Sequence, residues 1–165
     1  MDDADRTTLV FAPLWVFSAV TGSHSAIPPQ ALDALWTSIR AAVADATGLG
    51  RDVLLDLLTE SDVLVSYELD GRPVASGLLQ VADVLRRLPP DDASSVQEVL
   101  LTSFGQRVAR ARGPFGRSIS REDQETLELV AELLDLDETD PGLLFAGRRA
   151  LRGAAGPPRR TSARG

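Results

Sequence analysis

The chain has 165 residues, 44% of them apolar and 25% charged, with a net charge of −7, no cysteine, a single histidine (His24) and no lysine among its cations. Such a composition fits one globular domain that buries its apolar surface without disulfides or a structural metal. It excludes a disulfide framework, a cysteine-ligated zinc or iron–sulfur centre, thiol chemistry, a Schiff-base lysine and a P-loop, whose lysine the motif requires.

The first element, "TTLVFAPLWVFSAVTG", is apolar nearly all round and is expected to be a helix in the centre of its domain. Asp5 or Thr7 suits its cap and Gly22 its end, while Pro13 either kinks it or marks the first turn of a shorter helix. A strand over 9–11 is the alternative, but no partner strand is evident nearby. Its apolar run, residues 9–20, falls short of the roughly 20 residues a membrane-spanning helix needs. Pro28 and Pro29 then suit a helix start, with Leu32, Leu35, Trp36, Ile39 and Val43 as its apolar stripe and Gly48 and Gly50 as its end. A third helix is expected over 52–61, with Leu54, Leu57 and Leu58 inward and Asp52, Asp56 and Glu60 outward.

Residues 62–75 admit two readings. Asp70–Gly71 between alternating residues suggests a hairpin turn. Pro73 directly after it, and the marginal stability of a lone hairpin, favour a short helix over 62–67, a loop over 69–75 and a helix over 76–88. Pro89–Pro90 breaks the chain, and Asp91 or Asp92 caps a helix carrying Val96, Val99, Leu100, Phe104 and Val108. After the glycine-bearing "RARGPFGRSIS", Ser120 with Asp123 resembles a capping box ahead of a helix over 121–136, whose Leu127, Val130 and Leu134 turn inward. A last short helix is expected over 143–151. The sum is an all-α single bundle of about seven helices over residues 1–150, followed by a disordered arginine-rich tail over 151–165. A faint two-fold echo relates 9–45 to 96–136: each reads as helix, glycine-containing loop, isoleucine (Ile27, Ile119) and amphipathic helix.

The charge is unevenly spread. Residues 1–145 carry all 24 acids and 11 arginines, for −13, while residues 146–165 carry six arginines and no acid, for +6. The acidic body argues against nucleic-acid binding, because phosphate contacts need a positive surface. The tail can contact nucleic acid, anionic lipid or an acidic protein, or fold back on its own acidic body. Arg159–Ser162 resembles a basophilic kinase site. The acidic start, "MDDADR", is unlike a secretory signal, so a cytoplasmic location is expected.

Two segments, "APLWVFSAV" with its loop and isoleucine, and "FGQRVARARGPFGRSISREDQETLELVAELLDL", resemble the two halves of TerB-like, tellurite-resistance-type helical domains. The likeness runs over about 9–137 and includes the double-proline break. It implies an all-helical fold, an accessory role in stress or tellurite resistance, and an acidic site at the two loops that takes a divalent cation. The first loop departs from the family pattern: Thr21 stands at the family's aspartate and Gln30 at its glutamate. The second keeps Ser120, Glu122, Asp123 and Glu125 after Ile119, with Arg112–Gly113 before it.

The candidate cation-binding residues are therefore Glu122, Asp123, Glu125 and Glu128. Glu125, Glu128, Glu132 and Asp135 share one helix face, and Glu122 and Asp123 lie in the first turn, where the helix dipole favours negative charge. The same face suits docking of an unidentified basic protein partner, and a solvated surface is the plain alternative for it, as for Asp52, Asp56 and Glu60. Arg107, Arg110, Arg112 and Arg117, with Gly113 and Gly116, present an anion-cradle pattern. Ser23, His24 and Ser25 are adjacent on one loop and lack the elbow a serine triad needs. Trp15, Phe17 and Trp36 read as core aromatics. No catalytic residue and no cofactor beyond the possible cation is expected. The function expected is that of a non-catalytic domain, either ion-binding or a pure interaction module.

Overall fold

In the computed structural model, which describes residues 1–23, 27–112 and 118–134, the apolar N-terminal stretch is one helix, α1 (Asp3–Thr21). Its cap is Asp2, whose carboxylate accepts the Asp5 N–H at 2.7 Å. Asp5 and Thr7, the expected caps, thus lie within the helix. Gly22 closes it in the left-handed region (φ 71°), and the Ser23 N–H bonds the Ser18 carbonyl at 2.9 Å. Pro13 stays inside the helix. Its missing N–H and ring clash cost about 3 kcal/mol in an isolated helix. Burial offsets that: Leu9, Leu14, Trp15 and Val16 are fully enclosed, at about 1.5–3 kcal/mol for each large apolar side chain.

A 3-10 turn (Pro29–Ala31) leads into α2 (Leu32–Asp45), which buries Leu35, Ile39 and Ala42. The next helix, α3 (Gly48–Thr59), starts earlier than its acidic spacing suggests and buries Val53, Leu54 and Leu57. Gly50 does not terminate α2. It lies in the first turn of α3, where an added Cβ would sit 2.7 Å from Val99 Cγ2 and against the Ser95 carbonyl. Its N–H donates to Ser95 Oγ at 3.1 Å.

The ambiguous middle is helical. Helix α4 (Val63–Asp70) ends at Gly71, which takes φ 61°, and α5 (Val74–Leu85) follows Pro73. Asp70–Gly71 is a helix stop, not a hairpin turn, and α4 runs three residues past its expected end at 67. Pro73, without an N–H for a strand ladder, serves at the N-cap of α5. After Pro89, α6 (Pro90–Glu98) passes through a π-helical stretch (Val99–Gly105) into α7 (Gln106–Arg112). Pro89 holds the cap position, so Asp91 and Asp92 fall in the first turn instead. The wide turn brings Gly105 so close to its neighbours that a Cβ there would lie 2.7 Å from the Leu100 carbonyl oxygen and 2.9 Å from Leu127 Cδ2. The final described helix, α8 (Arg121–Leu134), is capped as its sequence indicates: Ser120 Oγ accepts the Asp123 N–H at 3.0 Å.

Every regular element among the described residues is helical, in seven rods if α6, the π-helical stretch and α7 are counted as one. Helix α1 is the axle: α3, α4, α5, α7, α8 and the π-helical stretch all pack on it. Its mixed surface of Leu9, Phe11, Trp15, Phe17 and Val20 joins a single core with Leu54, Leu78, Leu100, Phe104 and Val130. No helix among the described residues is long and apolar enough to cross a membrane. The expected helix over 143–151, the domain end at 150 and the tail lie outside the described residues.

Candidate functional site

The end of α1, the end of α7 and the start of α8 meet in space, and one arginine joins them. Arg112, the last residue of α7, donates from Nη1 to the Val20 carbonyl near the end of α1. The same nitrogen lies 3.6 Å from Asp123 Oδ1 in the first turn of α8. Val20 belongs to the last turn of α1, whose carbonyls have no partner further along the helix. Asp123 has a side chain only 7% exposed, whereas Arg112 is 43% exposed. The guanidinium thus satisfies a helix-end carbonyl and faces a buried carboxylate, while its far edge remains in water. Around this junction Thr21 Oγ1 donates to the Phe17 carbonyl at 2.8 Å and pairs with Ser23 Oγ at 3.0 Å. Ile27 is buried and Ile119 half-buried against the same core.

The four candidate carboxylates divide between two faces of α8. Glu122, Glu125 and Glu128 are exposed, with Glu132 continuing the row. Asp123 turns inward, because it shares the i, i+4, i+7 stripe of Leu127 and Val130, both buried. The outer acids have local partners: Arg121 Nε donates to Glu125 Oε1 at 2.8 Å, and Gln124 Nε2 donates to Glu128 Oε1 at 3.0 Å. Among the described residues no three His, Asp or Glu side chains are grouped to hold a metal ion. Asp135, the remaining member of the expected face, lies outside the described residues.

The arginines near the second corner are engaged separately. Arg107 pairs with Asp45, Arg110 with Gln106 at 2.8 Å, and Arg112 with Val20 and Asp123. They point to different acceptors and do not converge on one anion. Gly113, Gly116 and Arg117 lie outside the described residues, as do His24 and Ser25. On α3, Asp56 pairs with Arg6 at 2.7 Å, while Asp52 and Glu60 are exposed.

Trp15 and Phe17 are core residues, as their spacing indicates, but Trp36 is half-buried and lines an open cleft of about 260 Å³ with Arg40, Leu58, Glu60 and Leu64. Trp15 forms an aromatic group with Phe11 and Tyr67, at centroid separations of 5.8 and 6.1 Å. Arg72 lies over the Trp15 ring at 4.9 Å and is held by Asp70 at 2.7 Å. Tyr67 shares a buried hydrogen bond of 3.0 Å with Ser18. Burial pushes the Tyr67 phenol above its ordinary value; the Ser18 hydrogen bond opposes the shift and the Asp70 charge adds to it.

Sequence reasoning placed Arg112 in an anion cradle and missed its role as the counter-cation of Asp123. The signal was present in the spacing of Asp123, Leu127 and Val130, which sends that carboxylate inward, where it needs a cation. No family model, curated protein or solved structure matches the chain.

Proposed function

We propose that the chain is a non-catalytic protein-interaction module whose docking surface is the outer face of α8, receiving a basic partner. The supporting observation is the division of the α8 acids. Asp123 is withdrawn to Arg112, and Glu122, Glu125, Glu128 and Glu132 form an exposed acidic row over three helical turns. A row of this kind steers and orients a basic surface through long-range attraction. The likeness of the two helix–corner halves to TerB-like domains supports, for this module, an accessory role in stress or tellurite resistance.

A divalent cation is the competing occupant of the same face. The nearness of several carboxylates favours it, while the positive N-terminal end of α8 beside Glu122 and Asp123 opposes it. A hard cation, however, takes six or more oxygens, several from carboxylates. Here Glu125 and Glu128 are bonded to neighbouring donors and Asp123 faces a guanidinium.

The test is a ¹⁵N-correlation titration of the full chain with a short synthetic Arg–Ala peptide. Shifts concentrated on α8 amides, and lost in the Glu122→Arg/Glu125→Arg variant, are the expected result. Shifts spread equally over α8 and the acids of α3 overturn the assignment of α8 as the docking face.

A further inference from the structure

Among the described residues four large apolar side chains are exposed, and two of them, Val65 (58%) and Leu69 (82%), lie on α4. They are four residues apart and form one outward stripe, opposite the buried Val63 and Tyr67. Leu64, between the two faces, is half-buried and lines the open cleft of about 260 Å³ beside Trp36. Val65 follows Leu64 around the helix, so the cleft and the stripe adjoin. Together they make one apolar surface open to water, the mark of a place where something docks.

The charge around this surface selects what covers it. Asp62 lies three residues before Val65 and Glu68 three after it, the spacing of neighbours on a helix, and Glu60 lines the cleft. All three acids are exposed and, among the described residues, none is in an ion pair, whereas Asp70 is taken by Arg72. Arg40 is the one cation lining the cleft. A second copy of the chain would set this acidic rim against itself in a two-fold contact. An anionic membrane or a nucleic acid would meet it with like charge. An amphipathic helix with basic flanks complements both the apolar surface and its rim. We propose that the cleft and the Val65–Leu69 stripe dock a cationic amphipathic helix of a partner protein, its apolar side chains on Trp36, Leu64, Val65 and Leu69 and its cations toward Glu60, Asp62 and Glu68. This docking surface does not rest on the α8 reading, since it uses a different helix and selects for apolar as well as basic side chains.

The test is a ¹⁵N-correlation titration of the full chain with a synthetic leucine–arginine peptide of helical apolar spacing. The expected result is a set of shifts on α4 amides and on the Trp36 indole N–H, with binding at that site weakened at least about tenfold in Val65→Ser/Leu69→Ser. Both side chains are exposed, so the variant keeps its enclosed core. The same peptide with glutamate in place of arginine is expected to leave α4 unmoved. Undiminished binding in the serine variant, equal binding of the glutamate peptide, or no α4 shift at millimolar peptide overturns the proposal. Shifts confined to α8 overturn it too, and leave the α8 reading standing. Two further arms cover the other occupants. Shifts in α4 that grow with the concentration of the chain alone assign the surface to a second copy, and loss of α4 signals on phosphatidylserine vesicles, restored in the serine variant, assigns it to a membrane; either result overturns the proposal.

Discussion

Gly77 on α5 and Trp15 on α1 stand so close that a Cβ on Gly77 would lie 2.6 Å from the indole Nε1. The glycine is therefore the notch that lets α5 lie against the axle helix, and the fully enclosed indole cannot retreat. Gly77→Ala gains about 1 kcal/mol of helix propensity but overpacks this contact at about 1–3 kcal/mol. With backbone and ring both fixed, the overpacking wins. The expected result is a net loss of up to about 2 kcal/mol, read as a lower urea midpoint with an unchanged slope.

Tyr67 is the only tyrosine, and the chain has neither lysine nor cysteine, so absorbance at 295 nm between pH 9 and 12 follows one side chain. Burial raises the phenol in the folded state above its ordinary value of 10.0, with the Ser18 hydrogen bond opposing. The folded state then holds the proton more tightly than the unfolded one. Its contribution to stability is complete below pH 10 and is lost as pH rises through the folded value. Ser18→Ala removes the group that stabilises the phenolate, so the Tyr67 midpoint is expected to move further upward. A downward movement in that variant would contradict the assigned causes.

Removing Arg112 leaves the Val20 carbonyl without its donor and Asp123 without its counter-charge. Breaking a fully buried pair costs about 3–5 kcal/mol. Arg112 is almost half exposed and 3.6 Å from its carboxylate, so Arg112→Ala is expected to cost less, about 1–2 kcal/mol. In an Arg112→Ala/Asp123→Asn cycle, thermal melting should show the second change recovering part of that loss, a coupling of about 0.5–1 kcal/mol. Strict additivity would mean the two side chains do not interact.

The fold was legible where the apolar spacing was unambiguous. Leu35, Ile39, Leu54 and Leu57 face the core as their periodicity indicates, and the enclosed α1 follows from its all-round apolar surface. What was misread lay at boundaries, where one residue type serves several ends. Gly50 looks like a helix stop, but it admits the close approach of Ser95 and Val99, residues 45 and 49 positions away. Asp70–Gly71 suits a hairpin or a helix end equally, and Pro73 decides between them. The acidic site was legible as a composition but not as a geometry. Four acids counted along 122–128 look like one cluster, until the buried stripe of Leu127 and Val130 withdraws Asp123 from it.

The account rests on Arg112, and not a bound cation, balancing Asp123 where α1, α7 and α8 meet, and thermal melting of the full chain in Mg²⁺, Ca²⁺ or Mn²⁺ tests this most directly. A native site with a dissociation constant near 1 mM would add about 1 kcal/mol at a fivefold excess of metal, a rise of several degrees for a domain of this size. The predicted result is the same melting temperature with and without millimolar metal. A saturable rise that disappears in Glu122→Gln/Glu125→Gln would contradict the account and assign the acidic face to a cation.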